Sequence, residues 1–306
     1  MKRREFVKGA LFAAAAGVGG VVPTRAEDGD ILDAWQRDTD LVKFDVYNQY
    51  YRDGDTRGLV SLEKLEHAFD KVLREVRETE VCGTPAVWSV YNMGYVVKTR
   101  ESLFSIDVVH RRAAALLAPM LDFALITHNH GDHWRQEFYN VLNSSGKTVV
   151  SNFLDNYGAA DWKKGGAKWH ERGGFTRARK TFNIKDVEIR TSLVDHNSYL
   201  IDFTTAFNIR VGDWTMYHTG DCGNGSEGKL GTDWGRPDLW TFFPGCGINV
   251  AAAVNRVKPK KLVFGHLWEL GHEKGRLTTP MIRRALANAV PECSDVSVAL
   301  WGDRVV

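Results

Sequence analysis

Four potential metal ligands stand within six positions of this 306-residue chain, directly after an apolar run. The ligands are His128, His130, Asp132 and His133, and the run covers residues 121–127. A continuous apolar run of this kind predicts a strand buried on both faces. Three histidines and an aspartate cannot simply be core residues, because each buried polar group would need a partner. Neutral imidazole and carboxylate suit Zn²⁺, iron or manganese. The sequence therefore predicts a metal site on a loop at a strand end.

Hydrophobic periodicity predicts an α/β chain. Strands are predicted at 86–98, 103–109, 121–127, 148–151, 187–193, 207–211, 214–219, 261–264 and 296–301. Helices are predicted at 61–80, 134–142, 248–257 and 280–290. The two-residue Gly212-Asp213 turn between alternating segments is a strong hairpin signal. Hairpins come first and strand–helix alternation follows, an order that predicts two packed sheets with helices outside.

The first 26 residues are predicted to be an export signal. The segment Arg3-Arg4-Glu5-Phe6-Val7-Lys8 resembles a twin-arginine signal, and Thr24-Arg25-Ala26 fits a cleavage site. The alternative is an ordinary signal peptide that contains two arginines. The uncharged run of 14 residues is shorter than the roughly 20 of a membrane span. We therefore expect the twin-arginine machinery as a partner, a periplasmic or secreted location, and no stable membrane anchor after cleavage.

Charge and cysteine content exclude two further classes. Forty Lys/Arg and 38 Asp/Glu give a net charge of +2. Removing residues 1–26 takes away five basic residues and one acid, which leaves 35 against 37 and a net charge of −2. A nucleic-acid-binding protein would usually carry a larger basic excess. Four cysteines without CxxC spacing are too few for a disulfide scaffold, and their pairing stays open.

The segment at 128–133 resembles the His-x-His-x-Asp-His signature of the metallo-β-lactamase superfamily. Further ligand types follow in the order that this superfamily shows: His196 after the period-two strand, Asp221 in a strand-then-Gly-Asp element, and His266 after a strand. The resemblance implies an αββα four-layer sandwich over residues 82–306. An N-terminal helical extension is expected over residues 27–81.

Carried over by motif, the resemblance implies two divalent metal ions that share one carboxylate. The first would be held by His128, His130 and His196, the second by Asp132, His133 and His266, and Asp221 would bridge them. Zinc is the expected metal, with manganese or iron as alternatives. Such a pair lowers the pKa of bound water from 15.7 to about 7 and supplies a hydroxide nucleophile. Asp132 would be catalytic as well, because it could relay the proton.

Substrate contacts are expected from residues beside the motif, from the later strand ends and from a basic insertion at 153–182. The candidates are Trp134, Lys163, Lys164, Trp268 and His272. From Asp161 to Lys180, seven Lys/Arg stand against two acids, a net of +5 among aromatic residues. Long loops are commonly functional, so this segment predicts a small anionic substrate. The alternative is a solvated insertion without a role in binding.

The resemblance implies a hydrolase that cleaves a lactone, another ester or a phosphodiester, closest in pattern to the lactonase and phosphodiesterase branch. Two alternatives stay open. One is a mononuclear iron redox enzyme of the same fold, similar to sulfur dioxygenases, and the other is a non-catalytic metal-binding protein. Outside the ligand set, His218 is expected to pack behind the site, Cys222 to be no ligand, and His110 to lie at the surface.

Overall fold

A computed structural model describes residues 22–23, 28–151, 180–272 and 276–306. Thirteen strands are found in these ranges. They are β1 Val22–Pro23, β2 Ala86–Ser89, β3 Tyr95–Lys98, β4 Leu103–Ile106, β5 Phe123–Ile126, β6 Thr148–Ser151, β7 Thr181–Ile184, β8 Val187–Val194, β9 Thr204–Val211, β10 Trp214–His218, β11 Leu239–Phe242, β12 Lys261–Phe264 and β13 Val296–Val298. The α/β prediction is confirmed by the two sheets that these strands form.

The small sheet has five strands in the order β2-β3-β4-β5-β6, and the large sheet has eight in the order β1-β13-β12-β11-β10-β9-β8-β7. The helices are α1 Asp28–Asp40, α2 Phe44–Asp53, α3 Val60–Glu78, α4 Ala113–Leu116, α5 Gln136–Ser144, α6 Val250–Val257 and α7 Thr279–Ala289, with a 3₁₀ turn at Ala118–Met120. In the described residues, no helix combines the length and the apolar character that crossing a membrane requires.

Strand directions place many loops at one edge. In the small sheet, β4, β5 and β6 are parallel. In the large sheet, β10, β11 and β12 are parallel, and β8 and β10 both pair antiparallel with β9, so β8 runs the same way as β10. The residues that follow β8, β10 and β12 therefore emerge from the same edge of the large sheet, and those that follow β4 and β5 from one edge of the small sheet.

The N-terminal helices share the core of the two sheets. Residues 27–60 show no clear period in the sequence, yet α1 and α2 form there. Their buried positions are largely aromatic: the Trp35 ring lies 5.2 Å from Trp268 and 4.8 Å from Trp301, and Tyr47 lies 6.1 Å from Tyr91. Aromatic anchors bury large areas from few positions, so an aliphatic period is not needed. The boundary between residues 81 and 82 stays a prediction.

Several expected elements differ in detail. The expected strand at 86–98 is two strands, β2 and β3, and β11 was not expected at all. Strand β11 is fully buried between β10 and β12, and its four residues are too short a run to stand out. Helix α5 begins at Gln136 rather than at residue 134, because residues 134–135 still belong to the ligand loop. Most of the predicted export signal lies outside the described residues; within it, β1 pairs with β13.

Candidate metal centre

The seven predicted ligands come together at the strand ends. Their ligand atoms form two groups, and within each group all atoms lie within 4.8 Å of one another. The groups are His128, His130 and His196, and Asp132, His133, Asp221 and His266. Four of these residues come from the loop after β5, and the others follow β8, β10 and β12. The fold thus assembles from both sheets a set of imidazoles and carboxylates that the chain presents far apart in sequence.

Within the described residues, four ligand atoms are buried without a hydrogen-bond partner. They are Nε2 of His128, His133 and His196, and Oδ1 of Asp221. His133 Nε2 lies only 3.1 Å from Asp221 Oδ1, yet the pair lacks hydrogen-bond geometry. Leaving buried polar atoms unpaired costs about 1–3 kcal/mol each. Atoms that converge in this way fit divalent cations, which would satisfy all four.

Asp221 lies between the two groups. Its Oδ2 is 3.3 Å from His266 Nε2 in its own group and 3.6 Å from His196 Nε2 in the other. Asp221 also forms a third set of ligand atoms with His196 and Cys246. One carboxylate that approaches both groups is positioned to serve two cations at once.

Asp107 is the buried residue that orients this site and that the sequence analysis missed. Its Oδ2 lies 2.9 Å from His133 Nδ1 and 3.4 Å from His218 Nε2. Thr127 donates to the same carboxylate twice, from its backbone N–H at 2.8 Å and its hydroxyl at 2.6 Å. A carboxylate on the far nitrogen fixes the tautomer of a metal-binding histidine. The sequence signal that could have identified Asp107 was its position directly after β4, which runs parallel to β5.

Other ligands are oriented by neighbouring polar groups. His128 Nδ1 lies 2.9 Å from the Thr127 hydroxyl, and His266 Nδ1 lies 3.9 Å from Glu269 Oε2. His218 is fully buried, with Nδ1 at 2.7 Å from the Thr241 hydroxyl, and it faces Asp107 rather than the ligand atoms. The hydrogen bonds of His128 and His218 fix these two rings before any cation binds, whereas His266 has only the longer contact with Glu269.

The two groups differ in charge. Burial lowers the pKa of His128, and it lowers the pKa of His130 to about 4, so both rings are neutral. Burial would do the same to His133 and His266, but Asp221 and the other nearby carboxylates raise the pKa of both rings well above the usual value. Conversely, these histidines hold the pKa of Asp221 well below its usual range despite burial. The first group thus contains two neutral imidazoles, those of His128 and His130, and the second is a set of ion pairs.

The two sheets touch at Gly220. Its φ is +49°, and a Cβ there would lie 2.7–2.9 Å from the side chain of Thr127. Thr127 follows β5 of the small sheet, and Gly220 follows β10 of the large sheet. Only glycine permits this approach, which brings the loop of His128 against the loop of Asp221.

A cavity of about 260 Å³ opens beside the second group. Asp132 and Gly131 line it on one side, and Phe44 and Tyr47 of α2 line it on another. Arg135 and His272 also line it. A helix from the N-terminal region therefore forms part of the wall that a substrate would meet.

The predicted substrate contacts have different environments. His272 lines the cavity, and 54% of its side chain is exposed. The half-buried Trp134 donates its indole N–H to the Asn129 carbonyl at 2.9 Å. Trp268 is 1% exposed and packs against Trp35. Lys163 and Lys164, and with them most of the basic insertion, lie outside the described residues.

Two cysteines and one histidine complete the surroundings. Cys222 is fully buried, and its thiol donates to the Thr219 hydroxyl at 3.3 Å. Cys246 Sγ lies 3.8 Å from His196 Nδ1, a contact that no sequence spacing indicated. The surface position expected for His110 is wrong. Its ring is 3% exposed because it stacks on Phe69 with a centroid distance of 3.9 Å.

Comparison with solved structures identifies the fold. CmlA, a diiron β-hydroxylase from Streptomyces venezuelae, matches with a TM-score of 0.54 and 17% identity, over 74% of this chain and 54% of CmlA. Igni18, a metallo hydrolase from the archaeon Ignicoccus hospitalis, matches with a TM-score of 0.52 and 15% identity, over 73% of this chain and 98% of Igni18. A possible metal-dependent hydrolase from Veillonella parvula gives 0.51 and 15%, over 73% and 99%.

At these identities the likeness concerns the fold alone, and the chain has the metallo-β-lactamase fold. The chain spans about half the length of CmlA. No protein-family model and no curated protein sequence matches it.

Proposed function

We propose that the chain is a metal-dependent hydrolase that cleaves an ester, a lactone or a phosphodiester of a small anionic substrate. It would bind two divalent cations, and zinc is the expected metal. The observation that carries this proposal is the pair of ligand groups that share Asp221 and leave four buried ligand atoms unpartnered. Cations bound there would lower the pKa of water from 15.7 to about 7 and polarise a carbonyl or phosphoryl oxygen.

The chain's own residues position the reaction. Asp107 holds the proton on His133 Nδ1, so that Nε2 faces the ligand group. Asp132 belongs to that group and also lines the cavity, with Oδ2 at 2.8 Å from His266 Nε2. Its carboxylate is therefore placed to accept a proton from a nucleophilic water that attacks from the cavity side. Phe44 and Tyr47 of α2 line the same cavity.

The test is a metal titration combined with a substrate panel. We expect close to two metal ions per chain after saturation, and hydrolysis of at least one member of a panel of lactones, phosphodiesters and β-lactams. Release of acid or alcohol, followed at constant pH, measures turnover. A ceiling of one metal ion in active protein would contradict the dinuclear site.

A second candidate is an iron-dependent redox enzyme, because CmlA, a diiron β-hydroxylase, shares the fold. Metal identity separates the candidates. Iron in the purified protein, with oxygen uptake and no hydrolysis across the panel, would favour the redox reaction. Full metal loading without either reaction would favour a metal-binding protein that is not an enzyme.

We also propose that the protein is exported by the twin-arginine machinery. The supporting observation is the segment Arg3-Arg4-Glu5-Phe6-Val7-Lys8. Replacing Arg3 and Arg4 by lysine should leave precursor inside the cell, measured by fractionation and blotting. If the double variant reaches the periplasm as efficiently as the parent chain, the twin-arginine assignment fails.

A further inference from the structure

The cavity beside the metal ligands contains a positive charge that the metal centre does not use. Arg135 lines this cavity together with Gly131 and Asp132. A Cβ built on Gly131 would lie 3.9 Å from the Arg135 Nη1 atom, so the guanidinium is next to the ligand loop. The charge therefore lies where part of a substrate would be when its reacting bond faces Asp132.

Among the described residues, Arg135 is held in place by an aromatic ring and not by an acid. Its guanidinium carbon lies 4.4 Å from the centre of the Tyr51 ring, a cation–π contact with helix α2. Its Nε is buried and has no hydrogen-bond partner in the part of the chain that the structure describes. Across the described ranges, no carboxylate lies within ion-pairing distance, 4.0 Å, of this guanidinium. A fixed guanidinium with free donors suits the planar fork of a carboxylate.

The acids that line the same cavity are already paired. Glu269 Oε2 lies 2.9 Å from His272 Nδ1, and Asp132 Oδ2 lies 2.8 Å from His266 Nε2. Both carboxylates are thus in contact with histidines of the wall and not with Arg135. Of the charged groups that the structure shows lining this cavity, Arg135 is the one left to attract an anion.

An exposed aromatic side chain lies at the rim of the cavity. Phe44, the first residue of α2, lines the cavity and is 55% exposed. Leu41, three residues earlier, is 63% exposed but does not line it. An apolar ring at the rim gains contact area only when a ligand covers it.

We propose that this cavity selects a small carboxylate with an apolar group, whose carboxylate binds Arg135 and whose apolar part covers Phe44. The inference rests on the proposed function and specifies its substrate class. The volume of about 260 Å³ restricts the ligand to a small molecule. Helix α2 thereby contributes to specificity, because it supplies both Phe44 and the Tyr51 ring that supports Arg135.

The experiment uses phenylacetate and its neutral analogue phenylacetamide as probes of the zinc-loaded protein. Binding is measured by ligand-detected NMR titration. We expect Arg135→Gln to weaken phenylacetate binding roughly 10- to 100-fold, as a charge-assisted hydrogen bond implies, with little change for phenylacetamide. Arg135→Lys should lose part of this affinity because it keeps the charge but not the fork. Arg52→Gln, an exposed arginine on α2, is the matched control and should change nothing.

The apolar half of the proposal has its own pair of variants. Phe44→Ala should weaken both probes roughly two- to fivefold, whereas Leu41→Ala should not. Acetate, which has no apolar group, should be insensitive to Phe44→Ala. Melting temperatures of all variants show that each remains folded.

Phenylacetate affinity that is unchanged in Arg135→Gln would overturn the inference, because the carboxylate would then be held by the cations or by another group. Equal losses for phenylacetate and phenylacetamide would overturn it too. The proposed hydrolase is judged separately by the substrate panel. Arg135-dependent binding without any hydrolysis would refute the reaction and leave the carboxylate site standing.

Discussion

Two walls of the cavity beside the ligand groups are built in different ways. The metal wall consists of the ligand groups after β5, β8, β10 and β12, and hydrogen bonds from buried polar residues such as Asp107 hold its rings in place. The helix wall consists of Phe44 and Tyr47 of α2, and ring packing holds it against the sheets. In the proposed function, the first wall would supply the chemistry and the second would determine which substrate fits. Damage to the metal wall should therefore reduce turnover, and damage to the helix wall should change affinity and stability.

The largest expected effect follows removal of the shared carboxylate. Asp221→Ala should lower kcat by about 10³-fold or more, since loss of a direct ligand exceeds the roughly 10–100-fold effect of losing an orienting partner. Both cations should bind more weakly, because Asp221 approaches both groups. Elemental analysis and steady-state kinetics measure this. Asp213→Asn, in the exposed turn after β9, is the control. Loss of only one metal ion would contradict the proposal that Asp221 is a ligand of both cations.

A smaller effect is expected from Asp107→Asn. The amide cannot serve as a charged acceptor for His133 Nδ1, so metal affinity or activity should fall roughly 10- to 100-fold. Competition with a chromophoric chelator measures the affinity. Asp238→Asn removes another hydrogen-bonded carboxylate, which accepts from Thr215 and Lys260 away from the ligands. Asp238→Asn should change the free energy of unfolding without changing metal affinity. If Asp107→Asn and Asp238→Asn lose metal equally, the effect of Asp107 would come from a general loss of stability.

Glu66→Gln tests the contribution of the helix wall to affinity and stability. Glu66 of α3 accepts from the Tyr50 hydroxyl at 2.8 Å and pairs with Arg111 at 2.5 Å and Arg112 at 2.6 Å. Removing its charge should lower the free energy of unfolding by about 1–3 kcal/mol and raise KM more than it changes kcat, since Tyr50 shares α2 with Phe44. Urea unfolding and kinetics test this against Glu63→Gln, which is exposed on the same helix. A fall in kcat alone would contradict the expectation that the helix wall affects affinity and the metal wall affects turnover.

An effect of similar size concerns acid stability. Burial, together with the charges of Arg112 and Arg111, lowers the pKa of His110 to about 3, against 6.5 in an unfolded chain. The unfolded state therefore takes up the proton first, and the stability that His110 contributes above pH 6.5 is lost as pH falls from 6.5 towards 3. His110→Phe keeps a ring against Phe69 and removes the titration.

Between pH 7 and pH 5, the parent chain should lose about 2 kcal/mol more of its unfolding free energy than His110→Phe does. Urea unfolding at the two pH values gives this difference. Parallel losses in the two proteins would show that His110 is protonated in the folded state as well.

The same contrast explains what the sequence could reveal. The seven ligand candidates are readable because chemically distinctive residues stand at fixed places after apolar strands, and the α/β architecture follows from strand and helix periods. Asp107 lacks such a pattern, since one aspartate after a strand is common and its role depends on the parallel pairing of β4 with β5. Phe44 and Arg135 line the same cavity only because α2 packs against the sheets through Tyr47 and Tyr91, a contact with no local sequence signal.

The contact between Gly220 and Thr127 ties metal binding to the seating of the two sheets. At this point the sheets approach so closely that one added methyl group would have to move them apart. A shift of one sheet against the other, wherever in the core it begins, would change the distance between the loop of His128 and the loop of Asp221. Metal affinity should therefore be sensitive to the alignment of the two sheets. Core substitutions far from the cavity should lower the metal content at a degree of destabilisation that still leaves the melting temperature nearly unchanged.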